Sequence, residues 1–418
     1  MIRKIIAFFV QHKWLAFVLT VIWSLAGLYS LFHIPVDAVP DITNNQVQII
    51  TLAPGLSTEE VEQYITHPVE INIGNIQGVE AIRSVSRFGL SVVTLVFKEE
   101  MGTYFPRQLL MEKLSEIRQL IPKEFGSPFL GPVTTGLGEI YQYRLEVDPA
   151  YKKFYSLADL RTIQDWIIKR HMIMIPGVVE VNSFGGFVKQ YEVRINPYKL
   201  SSMDISLTDI LNALQKNNIN SGSAYIEKNH QAYFIRGEGR MQSIDDIANT
   251  VIKTIHGLPV LIKDIGSVNE GHAIRYGVVT ANGQGECVGG VVLLLKDFNA
   301  NQVIVNVKEK IEEIQNILPP GIKIKPFVDR SEFISSTTST IKENLILGAL
   351  IVIFVLVFLL GSFRGGIIVA STIPLAVLFA FLLMKITGTW INLMSLGAID
   401  FGILVDGAVI IVEGTLAY

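Results

Sequence analysis

Long apolar runs crowd the two ends of the chain, and the middle is patterned for water. KWLAFVLTVIWSLAGLYSLF (13–32) lies near the start; NLILGALIVIFVLVFLL (344–360), GIIVASTIPLAVLFAFLLM (366–384) and INLMSLGAIDFGILVDGAVIIV (391–412) lie near the end. Each has the length that spans hydrocarbon, roughly 17–25 residues. They predict four transmembrane helices, in segments 1–33 (with a short leading stretch), 341–361, 365–386 and 390–413. The first run is too long for a signal-peptide core and no small-residue cleavage site follows it, so it reads as an uncleaved helix. Short links, GSFRG and KITGTW, make the last three a compact series, and Trp14 and Trp390 fall where an aromatic belt sits. Pro374 inside the third run is tolerable where neighbouring helices satisfy the freed carbonyl.

Between the ends, strand-like alternation trades places with amphipathic helices. NQVQIITL (45–52) is followed by a Pro54–Gly55 turn and by Ser57 and Glu60 at capping-box spacing. Two strands then flank a turn at Phe88–Gly89, and a helix covers 105–121. This is most of a split β-α-β module, assigned to 34–132. A second unit opens with a strand at 138–148, a helix at 156–174 and a strand at 177–186. Its other half returns at 287–296, 301–318 and 322–329. The expected division is therefore a module in two parts, 133–186 and 273–335, interrupted by an inserted domain at 187–272. The fold class is an α+β membrane protein.

Charge orients the chain. Arg3 and Lys4 precede the first apolar run and Arg364 sits between the second and third, so one side of the membrane collects all three. By the positive-inside rule that side is cytoplasmic, which places 33–340 outside. A net charge of −3 and the lack of a basic stripe argue against a nucleic-acid partner. The one cysteine, Cys287, excludes an internal disulfide framework and reads as a small residue at a strand start.

The fourth apolar run carries three carboxylates, Asp400, Asp406 and Glu413. An Asp at a helix centre costs about 2.5–3.5 kcal/mol to insert, so acids there need a reason. Either they pair with a neighbouring helix or they carry protons, since desolvation raises a carboxyl pKa toward working pH. Asp406 and Glu413 share nearly one face; Asp400 and Asp406 are about 120° and ~9 Å apart and cannot share a proton directly. A P-loop is absent, which excludes an ATP-driven pump built on this chain. An intramembrane aspartyl protease needs acids on two helices, and no zinc H-E-x-x-H or nucleophile-elbow string occurs. His171, Met172 and Met174 in KRHMIM offer soft ligands, but core packing at a helix end explains them better.

IPVDAVPDI (34–42), APGLSTEEVE, GLGEIYQY, DLRTIQDW, FGGFVKQYEV, DRSEFI and MSLGAIDFGILVDGAVIIVE occur in an order that resembles the resistance–nodulation–division transporters, and within them the heavy-metal efflux branch of the CzcA type. The resemblance implies ferredoxin-like porter subdomains PN1 and PN2, a docking subdomain as the insertion, and a homotrimer in the bacterial inner membrane. It further implies a periplasmic adaptor and an outer-membrane channel as partners, with protons driving export of divalent zinc, cobalt or cadmium. No resident cofactor is expected; the metal is cargo. It carries a proton-relay role onto Asp400 and Asp406, which Glu413 joins by its position on the Asp406 face, and a metal role onto Glu139, which on the residues alone reads as a solvated charge. The drug-exporting branch has adjacent acids where this chain has Asp406–Gly407, which favours metal. Export of copper(I), silver or organic compounds is the alternative. Members of the family have twelve membrane helices, so the chain is expected to be a truncated part of one. A non-transporting assembly fragment is the reading from another class.

Overall fold

The computed structural model describes residues 2–34, 37, 41–255, 257–359, 363–392 and 401–416. Strands β1 (Gln46–Leu52), β2 (Val79–Arg87), β3 (Leu90–Phe97) and β4 (Phe129–Leu130) form an antiparallel sheet in the order β2-β3-β1-β4. The helical stretch 58–73 and the helix Tyr104–Leu120 fill the connections. Alternation explains the layering: Val47, Ile49, Val93 and Leu95 point to one face and are buried against Val61, Ile65, Leu110 and Leu114. Each such side chain contributes about 1.5–3 kcal/mol when removed from water. The two-residue β4 has no periodic signal, and it completes the sheet beyond the five elements read from the sequence.

The second unit repeats this plan. Strands β5 (Glu139–Val147) and β6 (Val178–Phe184) precede an insertion; β13 (Gly289–Leu294) and β14 (Ile322–Asp329) follow it. The sheet order is β14-β5-β13-β6, again antiparallel throughout. Helical residues 157–172 and the helix Ala300–Gln315 cover one face around Tyr143, Ile168, Val292 and Ile304.

Both units start their first helix with a capping box, Ser57 with Glu60 and Ser156 with Asp159. Both then pass through a π turn, Glu62–Thr66 and Gln164–Ile168. The extra residue of a π turn re-aims a side chain. Here each turn carries one buried polar group: Thr66 Oγ1 lies 2.8 Å from the hydroxyls of both Ser86 and Ser91. Gln164 donates to the Tyr143 hydroxyl at 2.9 Å and to Ser183 at 3.3 Å.

Inside the insertion, β7 (Lys189–Ile195) pairs along its whole length with β12 (Gly266–His272) and closes the stem. Between them lie two hairpins, β8 (Ser221–Lys228) with β9 (Gln231–Gly237), and β10 (Val251–Ile255) with β11 (Leu258–Leu261). Asn229 and His230 both have positive φ at the tip of the first, the backbone of a tight two-residue turn. A small core of Ile205, Ile210 and Ile265 holds the insertion together.

Among the described residues two helices are long and apolar enough to cross a membrane, Lys13–His33 and Phe363–Thr387. They pack closely: a Cβ on Gly27 would sit 2.4 Å from the Leu378 carbonyl oxygen, and Trp23 stacks on Phe379 at 5.2 Å. The second apolar run differs from expectation at its start. It does not begin near 341 but continues one helix, Arg330–Leu359, whose second turn buries Ile334 in the core of the second module. No Gly or Pro interrupts DRSEFISSTTSTIKEN, so nothing ends the helix there. The fourth run also differs. Thr389, Trp390, Ile391 and Asn392 are not helical, and Ile391 instead accepts a backbone hydrogen bond from Asp37 at 2.9 Å. Gly388, at positive φ, closes the preceding helix. The helix Phe401–Leu416 covers the later part of that run; residues 393–400 lie outside the described region.

Candidate functional site: an acid-bearing helix and a carboxylate-lined cleft

Helix Phe401–Leu416 packs through Ala408, Val409 and Val412 onto Val369 and Ile373, beside Ile353. Asp406 and Glu413 lie seven positions apart, close to one line along the helix and about 100° around the axis from the packed residues. Both are exposed, and neither has a hydrogen-bonding or ion-pair partner among the described residues. The arrangement is a pair of titratable groups on the flank of an apolar helix. Asp400 falls outside the described residues.

Glu139 opens β5 and lines a cleft of about 540 Å³ between the sheets of the two modules. Gln46, Gln48, Thr134, Glu180 and Asn182 share its walls. Register explains the juxtaposition. Glu139 and Glu180 are each the cross-strand partner of Leu293, one on either side of β13, so all three project from one face. With strands ~4.8 Å apart, the two acids sit about 10 Å apart at their backbones. Gln142 donates to Glu139 at 2.7 Å and fixes one carboxylate oxygen. The Thr134 hydroxyl is buried with no partner among the described residues.

Every side-chain donor here is oxygen or amide, which suits hard and borderline divalent ions rather than soft monovalent ones. Among the described residues no group of three or more His, Cys, Asp or Glu converges tightly enough to hold a metal. Two carboxylates and several amides line an open cleft. Sequence reasoning missed Glu180. Its signal was the alternation in EVN, where Val181 turns into the core and leaves Glu180 and Asn182 on the other face; Val178 joins the core through a register shift in the pairing with β13.

The soft-ligand candidates scatter. Met172 is fully buried in the core, Met174 is exposed, and His171 Nδ1 is spent on the Ile167 carbonyl at 2.8 Å. Cys287 is partly buried, which pushes its thiol pKa up, with Arg144 pulling the other way.

Residues 5–416 match the AcrB/AcrD/AcrF family. The chain belongs to that family. The relatives it resembles carry cation-efflux and metal-resistance names. It is 44% identical over 419 residues to the "Cation efflux system protein CzcA" of Alcaligenes sp. (strain CT14), covering 99% of this chain and 39% of that protein. It is 38% identical to the "Nickel-cobalt-cadmium resistance protein NccA" of Alcaligenes xylosoxydans xylosoxydans, covering 100% of this chain and 41% of that protein. A crystal structure of a heavy metal efflux pump superposes with a TM-score of 0.87 at 36% identity, covering 97% of this chain and 41% of that one. The chain thus spans about two fifths of the length of the relatives it matches.

Proposed function

We propose that this chain works in the proton-driven export of divalent heavy-metal cations, of the zinc, cobalt and cadmium class, across a bacterial envelope. The two repeated modules correspond to ferredoxin-like porter subdomains in the periplasm, and the insertion corresponds to a docking subdomain. The four apolar runs cross the inner membrane. The working assembly is a homotrimer joined to a periplasmic adaptor and an outer-membrane channel. Metal is cargo and protons are the driving ion; no resident cofactor is invoked.

The observation that carries the reading is the pair Asp406 and Glu413, aligned on an apolar helix and without a partner among the described residues, in a chain whose cleft presents Glu139 and Glu180. A carboxyl group at membrane depth takes up and releases protons as its hydration changes. Its charge also feels the transmembrane field, about 2.3 kcal/mol per charge per 100 mV over the full span. Asp400 belongs to the same relay. Oxygen donors in the cleft favour divalent metal over copper(I) or silver.

The test is Asp406→Asn, which keeps the shape and removes the titration, in a full-length transporter carrying this chain. Zinc-dependent proton counterflow in proteoliposomes and zinc resistance in cells should both be lost, with expression and metal binding by the exported region unchanged. Normal transport by that variant would sink the relay.

A further inference from the structure

One guanidinium joins the membrane helices to the cleft. Arg330 stands where β14 ends and helix Arg330–Leu359 begins, with no loop between them. That junction is fixed from the module side. Asp329 accepts from the Ser331 backbone at 2.9 Å and pairs with Lys308 of helix Ala300–Gln315 at 2.5 Å, and Lys308 also donates to the Ser331 hydroxyl at 2.9 Å. The helix therefore leaves the module already anchored in it.

From this anchored position Arg330 reaches outward in two directions. Its Nη2 donates to both carboxylate oxygens of Asp37, at 2.8 and 3.0 Å, across 293 positions of sequence. Its Nη1 donates to the carbonyl of Leu137. Both charged side chains are largely buried, at 11% and 13% exposure. Asp37 follows the helix Lys13–His33, and its own backbone N–H holds Ile391, in the non-helical link after Phe363–Thr387. Leu137 lies two positions before Glu139. The neighbouring Gly138 carbonyl accepts from Leu294, and the Val133 carbonyl from Lys296, so the lead-in to Glu139 is tied to the end of β13 as well. Beside the joint is a cavity of about 310 Å³, lined by Asp41, Lys296, Thr389 and Trp390 among others. A space of that size beside the joint leaves it room to move.

We propose that Arg330 is a positioning residue for transport. It transmits movement of the membrane helices to the cleft by holding the Asp37 exit of the first helix and the Leu137 lead-in to Glu139 on one rigid fork. An ion pair alone needs only charge, which lysine supplies. Gripping a carboxylate and a carbonyl at once needs the planar, multiply donating guanidinium. The inference rests on the relay reading above, because it needs the membrane acids to drive the movement.

The experiment uses the full-length transporter with Cys287→Ser, a reporter thiol at Val291→Cys on the cleft floor, and maleimide labelling in membranes. Asp406→Asn stands in for the protonated helix. In the parent, Asp406→Asn should change the labelling rate of the reporter. Adding Arg330→Lys, or separately Asp37→Asn, should abolish that change while trimer assembly and the labelling rate of the undriven protein stay the same. In transport assays Arg330→Lys should lose zinc export yet retain zinc binding. If the reporter still responds fully to Asp406→Asn in both joint variants, the proposal is overturned and the relay stands. If the parent shows no response at all, the relay fails and the joint with it.

Discussion

The two modules share strand order, capping boxes and a π turn, yet they are connected to the rest of the chain in opposite ways. The first ends in a two-residue strand, Phe129–Leu130, and its core closes on itself. The second is open at both of its later connections. Its hairpin position between β6 and β13 is occupied by the insertion, and its fourth strand, eight residues long, runs directly into helix Arg330–Leu359. The same plan therefore builds one self-contained unit and one that stands between an insertion and the long helix Arg330–Leu359. The buried polar groups follow the difference. The first module closes its π turn with three small hydroxyls; the second uses a larger set, the fully buried Gln164 with Tyr143 and Ser183. Burial pushes the Tyr143 hydroxyl pKa up, with the Gln164 hydrogen bond pulling it back, so this group stays neutral and acts only as a donor and acceptor.

Removing those polar centres should give the largest contrast. Gln164→Ala leaves the buried Tyr143 hydroxyl without its partner and opens a void; a loss of about 3–4 kcal/mol is expected. Thr66→Val keeps volume and leaves Ser86 and Ser91 able to bond elsewhere, and should cost about 1–2 kcal/mol. Hydrogen exchange resolved by strand is the check: β5 and β6 should open in the first variant and β2 and β3 in the second. Equal losses would mean that the two networks do the same work despite their different chemistry.

The exit from β6 is the next point of difference. Gly185 has φ of +69°, and a Cβ there would lie 2.0 Å from the Cys287 carbonyl oxygen, a backbone atom that cannot swing aside. Gly185→Ala should destabilise by about 2–3 kcal/mol through backbone strain and the forced parting of β6 from β13. Protease cleavage should accelerate at the root of the insertion and leave the first module intact. Cleavage at an unchanged rate would show that the insertion is held by its own β7–β12 stem rather than by this approach.

The sequence carried much of this plan and little of the connections. Strands at 45–52 and 322–329 were legible because valine and isoleucine alternate with polar residues, and the first helix of the first module because Ser57 stands three positions before Glu60. The π turns were not legible, since an inserted residue inside a helix leaves the local composition unchanged. Nor was the start of helix Arg330–Leu359, where apolar content drops but nothing breaks the helix. In the site, Asp406 announced itself as an acid among apolar residues. Glu180 did not, because a glutamate on an alternating strand looks like any solvated charge until the register places it beside Leu293 and across from Glu139. The Arg330–Asp37 pair spans the length of both modules and has no local signature at all.

The smallest contrast tests whether the repeated capping boxes are equivalent. Glu60 is held below its ordinary pKa by hydrogen bonds from the Ser57 backbone and hydroxyl; Asp159 is held below its own chiefly by the Ser156 hydroxyl and then by the backbone. A carboxyl group whose pKa falls on folding stabilises the native state above its unfolded pKa, and that contribution fades as pH drops through the folded value. Both helix starts should therefore loosen as pH falls below roughly 4, where unfolded carboxyls begin to protonate. They differ in surroundings: Asp159 also feels Lys189, at the foot of the insertion, whereas nothing cationic contributes at Glu60. Ser57→Ala and Ser156→Ala should each speed amide exchange in the first helical turn several-fold at neutral pH. Salt should add to the effect only at Asp159, because only there does a charge–charge attraction remain to be screened. Salt sensitivity at both caps, or at neither, would remove the insertion from the account of how the second module's first helix is held.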